Sequence, residues 1–125
     1  MNRYRILVVE DNPLNQKILS FYLGREGHDV VIVSTGEKAV EFMEESGADL
    51  VIMDLMLPGI SGYETARRIR VSEQVSGRKS LIIALTANAM DNDREQCLSA
   101  GMDEYMPKPF DIRKLHDIFE ALNLQ

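Results

Sequence analysis

The run Leu50-Val51-Ile52-Met53 is four apolar residues with no polar break, and it restricts the fold more than any other stretch of the chain. A strand with one face in water alternates apolar and polar residues, whereas an unbroken run suits a strand covered on both faces. Such strands belong to parallel sheets, because parallel neighbours need a crossover that is usually a helix and that helix covers the sheet. Short apolar runs recur at 6–9, 30–33 and 81–85, each followed by residues of helical periodicity. The expected fold class is therefore α/β: a three-layer, doubly wound α/β/α sandwich on a five-stranded parallel sheet, with strand order 2-1-3-4-5.

The boundaries follow from local signals. After the first strand, Glu10 and Asp11 fall on a loop, and Asn12-Pro13 reads as an N-cap with proline at the first helical position. That helix is expected to run from 13 to about 25, ending near Gly24 and Gly27. Ser34-Thr35-Gly36-Glu37 has capping-box spacing, with Ser34 as the cap, and opens a helix to about 46. The third strand ends in Asp54. Ser61-Gly62-Tyr63-Glu64 is a second capping box, whose helix should reach about 71 with Ala66 and Ile69 turned inward. The polar stretch 72–80 is the one candidate flexible segment. A fourth strand ends in Thr86, Asn88 or Asp91 opens a helix to about 100, a short strand lies near 103–106, and Asp111 caps a last helix to about 122.

With 125 residues, 45% hydrophobic and 27% charged, the chain suits a single domain, 1–125. A net charge of -6 provides no basic stripe to neutralise phosphates, which argues against direct nucleic-acid binding. No apolar run is long enough for a membrane span or a signal-peptide core, so a cytoplasmic location without membrane insertion is expected. Cys97, the single cysteine, has no internal disulfide partner and no adjacent histidine base, so it reads as a small hydrophobe in a reducing compartment. Met53, Met90, Met102 and Met106 read as core filling or helix packing.

The first helix carries more apolar surface than one core stripe requires. Leu19, Tyr22 and Leu23 make one face and Leu14, Ile18 and Phe21 a second, which is either additional core or a docking surface for a partner helix.

Polar residues gather at the carboxyl ends of the strands, where ligands of open α/β sheets bind. Asp54 alone could be a turn former or a functional acid. With order 2-1-3-4-5 it converges with Glu10, Asp11, Thr86 and Lys108. Carboxylates that close repel one another unless a cation joins them, and oxygen donors without His or Cys select Mg2+, or Mn2+ in its place. A metal, a lysine and a hydroxyl around an aspartate suit phosphoryl transfer. Asp54 would be an exposed nucleophile forming an acyl phosphate, Asp11 a direct metal ligand, and Glu10 a ligand either direct or through water. Lys108 and Thr86 would contact phosphoryl oxygens.

The constellation Glu10-Asp11, Asp54, Thr86 and Lys108-Pro109 closely resembles, over the whole chain, the receiver domain of two-component response regulators. Glu10-Asp11-Asn12-Pro13-Leu14-Asn15-Gln16 resembles the opening of receivers in hybrid kinases and phosphorelays as well as stand-alone ones. The resemblance implies a phosphorylation-activated switch that takes its phosphoryl group from a sensor histidine kinase or a histidine phosphotransfer domain, with Mg2+ required. It also implies the Met56 backbone carbonyl as a metal ligand and a cis peptide between Lys108 and Pro109. On phosphorylation Thr86 would swing inward with Tyr105. The surface altered for a downstream protein target would be the helix after Asn88, the strand holding Tyr105 and the helix after Asp111. Leu14, Ile18, Pro109 and Phe110 are the candidates for docking the donor. Met56 and Asn88 would border the path of an attacking water, with slow self-hydrolysis expected. No output domain is expected within 1–125, which is either a single-domain regulator or an excised receiver.

Two other function classes compete. An aspartyl-phosphate phosphatase of the haloacid dehalogenase type would place a second Asp two residues after the nucleophile, where this chain has Met56. A flavodoxin-like cofactor module would want a glycine- or hydroxyl-rich loop after strand one, where Glu10 and Asp11 instead repel phosphate. A phosphorylation-independent interaction module of the same fold stays open.

Overall fold

In the computed structural model, which describes residues 3–87 and 91–122, every residue of Leu50–Asp54 is buried. That strand is the third of five, β1 (Arg5–Val9), β2 (Asp29–Val33), β3 (Leu50–Asp54), β4 (Leu81–Thr86) and β5 (Glu104–Pro107), all parallel in the order β2-β1-β3-β4-β5. The register aligns Val9 with Met53 and Asp54 with Leu85, so the strands end at one level. The first polar residue after each strand therefore lands on the same rim.

Among the described residues five helices cover the sheet: α1 (Pro13–Arg25), α2 (Gly36–Glu45), α3 (Gly62–Ser76), α4 (Asp91–Ser99) and α5 (Ile112–Ala121). Successive strand residues point to opposite faces, and the core divides accordingly. Leu7, Val9, Val51, Met53, Ile82 and Ala84 pack with Ala66, Ile69 and Cys97 on one face. Ile6, Val8, Leu50, Ile52, Ile83 and Leu85 pack with Leu19, Leu23, Leu115 and Phe119 on the other. Both faces being covered is why these runs contain no polar interruption. Met53, Met102 and Met106 are buried as expected; Met90 and Asn88 lie outside the described residues. Among the described residues no helix is long and apolar enough to cross a membrane.

Several local expectations are corrected. The cap of α2 is Thr35, which accepts from Lys38 N at 3.1 Å, and not Ser34, whose hydroxyl accepts from Gln16 Nε2 at 3.4 Å. Glu37 reaches across to Ile60 N at 3.4 Å and does not close a capping box. Ser61 does cap α3, accepting from Glu64 N, but the Glu64 carboxylate pairs with Arg67 and Arg68. The stretch 72–80 is no flexible segment, since α3 continues to Ser76 and stops at Gly77, whose φ of 78° suits glycine. Its polar residues satisfy one another: the buried Glu73 accepts from Ser80 N, Ser80 Oγ and Arg70 Nη1 at 2.7–2.8 Å. Arg70 continues to Asp103 and to the carbonyls of Ser80 and Gly101, tying α3 to the starts of β4 and β5.

The second apolar stripe of α1 is only partly covered: Ile18 is half-buried, but its other two members face solvent. Leu19 and Leu23 are buried, whereas Leu14 is 66% exposed and Phe21 60% exposed. Tyr22, expected on the buried face, is also exposed, with its ring near those of Phe21 and Phe110.

Candidate functional site

At the end of β1, Glu10 extends the sheet by donating its N–H to Val33 O at 3.1 Å, which leaves the residue fully buried. Asp11, next in the chain, is exposed on the loop. Asn12 then starts α1, its side chain accepting from the N–H groups of Leu14 and Asn15 at 2.9 and 3.1 Å. The first turn of α1 folds back on Glu10: Gln16 Nε2 donates to its carbonyl at 2.6 Å and Asn15 Nδ2 to its Oε1 at 2.5 Å.

Asp54 closes β3. Its Oδ1 accepts from Met56 N at 3.0 Å and its Oδ2 from Lys108 Nζ at 2.7 Å. The expectation of an exposed nucleophile is corrected, because Asp54 is only 3% exposed, at the floor of the rim with the Lys108 ammonium on it. Met56, by contrast, is 81% exposed. Lys108 comes to Asp54 from across the sheet: its N–H donates to Thr86 O at 2.8 Å and the Lys108–Pro109 peptide is cis. Thr86 is buried at the end of β4, one residue beyond the partner of Asp54 and in register with Pro107. Gly62 lets the returning chain approach the acid, since a Cβ there would lie 2.7 Å from the Asp54 carbonyl oxygen.

Glu10, Asp11 and Asp54 each offer an oxygen, and these atoms lie within 4.8 Å of one another. Burial, with Asp54 adding to it, pushes the Glu10 carboxyl from 4.5 up to about 7, while Asn15 and Lys108 pull the other way. Lys108 Nζ is 4.0 Å from Glu10 Oε1, close enough to attenuate this repulsion but already committed to Asp54. Glu10 Oε2 is buried with no hydrogen-bond partner among the described residues. An orphaned carboxylate oxygen in a cluster of three hard donors fits a divalent cation of the Mg2+ type.

Of the other sequence-derived candidates, Ile18, Pro109 and Phe110 come together with Glu10, Asn15 and Lys108 around a cavity of 270 Å³, while Leu14 stands on the solvent side of α1. Tyr105 is half-buried in β5, in register with Ala84, with the Arg94 guanidinium 5.9 Å above its ring. Sequence reasoning assigned no role to Asn15, Gln16 or Gly62. Amides in the first helical turn after an acid, and a glycine opening the helix after the phosphoacceptor candidate, were the signals available.

A family model for the response regulator receiver domain matches residues 6–120. The sensor protein GacS of Pseudomonas syringae pv. syringae is 39% identical over 115 residues, covering 91% of this chain and 13% of its own. The uncharacterized transcriptional regulatory protein YrkP of Bacillus subtilis is 43% identical over 113 residues, 90% of this chain and 46% of its own. The chain thus spans less than half the length of these curated relatives. Among solved structures, the receiver domain of the sensor histidine kinase PA1611 from Pseudomonas aeruginosa PAO1, with a magnesium ion in its active-site cleft, is 43% identical with a TM-score of 0.84, covering 96% of this chain and 97% of that one. The receiver domain of Ssk1 from Saccharomyces cerevisiae, in complex with the histidine phosphotransfer protein Ypd1, is 35% identical with a TM-score of 0.86, covering 94% and 88%.

Proposed function

This chain belongs to the receiver-domain family of two-component and phosphorelay response regulators, and on that premise we propose that Asp54 accepts a phosphoryl group from a phosphohistidine. The observation that carries this reading is the Asp54 carboxylate, held by Lys108 at 2.7 Å and within 4.8 Å of Glu10 and Asp11. The transfer forms a bond from phosphorus to an Asp54 carboxylate oxygen and breaks the P–N bond of the donor, whose imidazole keeps the electron pair and takes up a proton. Glu10, Asp11, Asp54 and the Met56 carbonyl would hold Mg2+, with Mn2+ as a substitute. That ion supplies neutralisation of charge on the transferring oxygens. Lys108 and the Thr86 hydroxyl bind the phosphoryl oxygens, and the Met56 N–H, already on Asp54 Oδ1, orients the attacking carboxylate.

The donor is a sensor histidine kinase or a histidine phosphotransfer domain. It docks on the exposed side of α1 at Leu14 and along Ile18, Pro109 and Phe110, an apolar surface opening beside Lys108. This pairing is supported by the Ssk1 receiver bound to Ypd1. Phosphorylation draws Thr86 inward, Tyr105 follows, and the α4-β5-α5 surface changes for a downstream protein. The domain is a switch that assists its own modification, not a turnover phosphatase, because Met56 supplies no acid two residues after Asp54. Cys97, buried in the core, suits a cytoplasmic site of action.

Incubation with acetyl phosphate, or with beryllofluoride, in the presence of Mg2+ should modify or occupy Asp54 and shift backbone resonances from Thr86 through α5. A folded sample that shows neither mass gain nor resonance change refutes the switch and leaves a phosphorylation-independent interaction module. Phosphotransfer profiling against histidine kinases and phosphotransfer domains, with Asp54→Ala as control, identifies the donor.

A further inference from the structure

The first turn of α1 holds Glu10 in a way that its fold alone does not require. Two grips converge on this residue: Gln16 takes the backbone carbonyl at 2.6 Å and Asn15 takes side-chain Oε1 at 2.5 Å. The turn supplying them is itself pinned, because Asn12 accepts from the Asn15 N–H at 3.1 Å. Glu10 is fully buried, and with Oε1 committed to Asn15 its Oε2 is left without a hydrogen-bond partner among the described residues. An Asn serving only the helix would cap a backbone group; here the amide is spent on an acid of the cation cluster.

The chemistry of position 15 is restrictive. A lysine or arginine would orient Glu10 but cancel a charge that a cation needs. A carboxylate would add a fourth like charge to three already within 4.8 Å. An apolar side chain would leave both Glu10 oxygens unsatisfied. A neutral donor such as the Asn15 amide fixes the carboxylate while preserving its charge. Lys108 cannot substitute, since it is 4.0 Å from Oε1 and bonded to Asp54.

We infer that Asn15 is a positioning residue that sets the Mg2+ affinity of this domain by orienting Glu10 so that Oε2 is presented to the ion. This rests on the proposed receiver function. Outer-shell partners of metal ligands typically carry about 10–100-fold in affinity. The test is a titration of the intact chain with MgCl2, followed by two-dimensional amide NMR, for the wild type, Asn15→Leu and Asn15→Ala. The dissociation constant should rise at least about tenfold in Asn15→Leu, and by less in Asn15→Ala, where water can enter and donate to Oε1. The initial rate of modification by acetyl phosphate should reach the wild-type plateau at saturating Mg2+, with only the half-saturating Mg2+ concentration displaced. A plateau that falls while half-saturation stays put signifies a merely structural residue and overturns the inference. So does an Asn15→Leu protein binding Mg2+ within twofold of the wild type. A wild-type chain showing no Mg2+-dependent shifts strikes the receiver reading itself, which separates that failure from this one.

Discussion

Replacing Glu10 by Gln removes a charge that the metal-free fold accommodates poorly, so the variant should be more stable than the wild type. Burial holds the Glu10 carboxyl at about 7 against 4.5 for the free group. An acid raised in this way keeps, in the fold, a proton that the unfolded chain has released. Stability therefore declines as pH climbs from 4.5 towards 7, and the full penalty is present above 7. That displacement corresponds to about 3 kcal/mol. Gln keeps the acceptor that Asn15 uses, so Glu10→Gln should recover about 2–3 kcal/mol at pH 8 in EDTA. For a domain of this length that is about 6–12 °C in Tm. Near pH 5, where Glu10 is protonated in the fold but most unfolded chains have already released the proton, the difference should shrink to about 1 kcal/mol. Mg2+ at 100 times its Kd should add about 2.7 kcal/mol to the wild type and less to the variant, which has lost a ligand. Urea and thermal unfolding at the two pH values, with EDTA or Mg2+, provide the readout. Equal stability at pH 8, or an equal gain at pH 5 and pH 8, refutes the reasoning, because either result removes the burial penalty from Glu10.

Three other perturbations have definite expected outcomes. Gly62→Ala places a Cβ 2.7 Å from the Asp54 carbonyl oxygen and 2.9 Å from Leu55 Cα, both backbone atoms that cannot swing away; a loss of about 1–3 kcal/mol in urea unfolding and a shifted Asp54 amide resonance should follow. Arg70→Ala leaves Glu73, 9% exposed, and Asp103 without their guanidinium; the loss should be about 3–5 kcal/mol, and one below about 1 kcal/mol would show that the network is only surface pairing. His28 is buried, accepts from Tyr4 N–H through Nδ1 at 3.1 Å, and has its pKa lowered from 6.5 by that burial. The neutral form is favoured in the fold, so its contribution is present in full above pH 6.5 and is lost as pH falls from there towards the lower value that burial imposes. His28→Leu should flatten this acid-side decline in pH-dependent unfolding.

Position 10 separates what local sequence carries from what it cannot. The apolar runs contain the sheet, because a strand buried on both faces must be apolar at every position and needs crossover helices on both sides. Asn12-Pro13, Ser61 and Asp111 mark helix starts that the structure keeps, since a cap acts over two or three residues. The convergence of Glu10, Asp11, Asp54, Thr86 and Lys108 follows from strand order together with their strand-end positions. Sequence signals failed where distant groups competed for the same atom. Ser34 lost its cap to Thr35 while its hydroxyl took Gln16, and the polar stretch after α3 became ordered once Glu73 could reach Ser80 and Arg70.

By itself, then, the amino-acid order determines the layers, most of the helix starts and which side chains stand at the rim, because periodicity and capping are set by neighbours a few residues apart. Tertiary structure alone decides that Asp54 is buried under Lys108, 54 residues further on, that Glu10 is gripped by the first turn of α1, and that Leu14 and Phe21 face solvent. Those outcomes depend on strand register and helix rotation, which are settled only when the whole core packs.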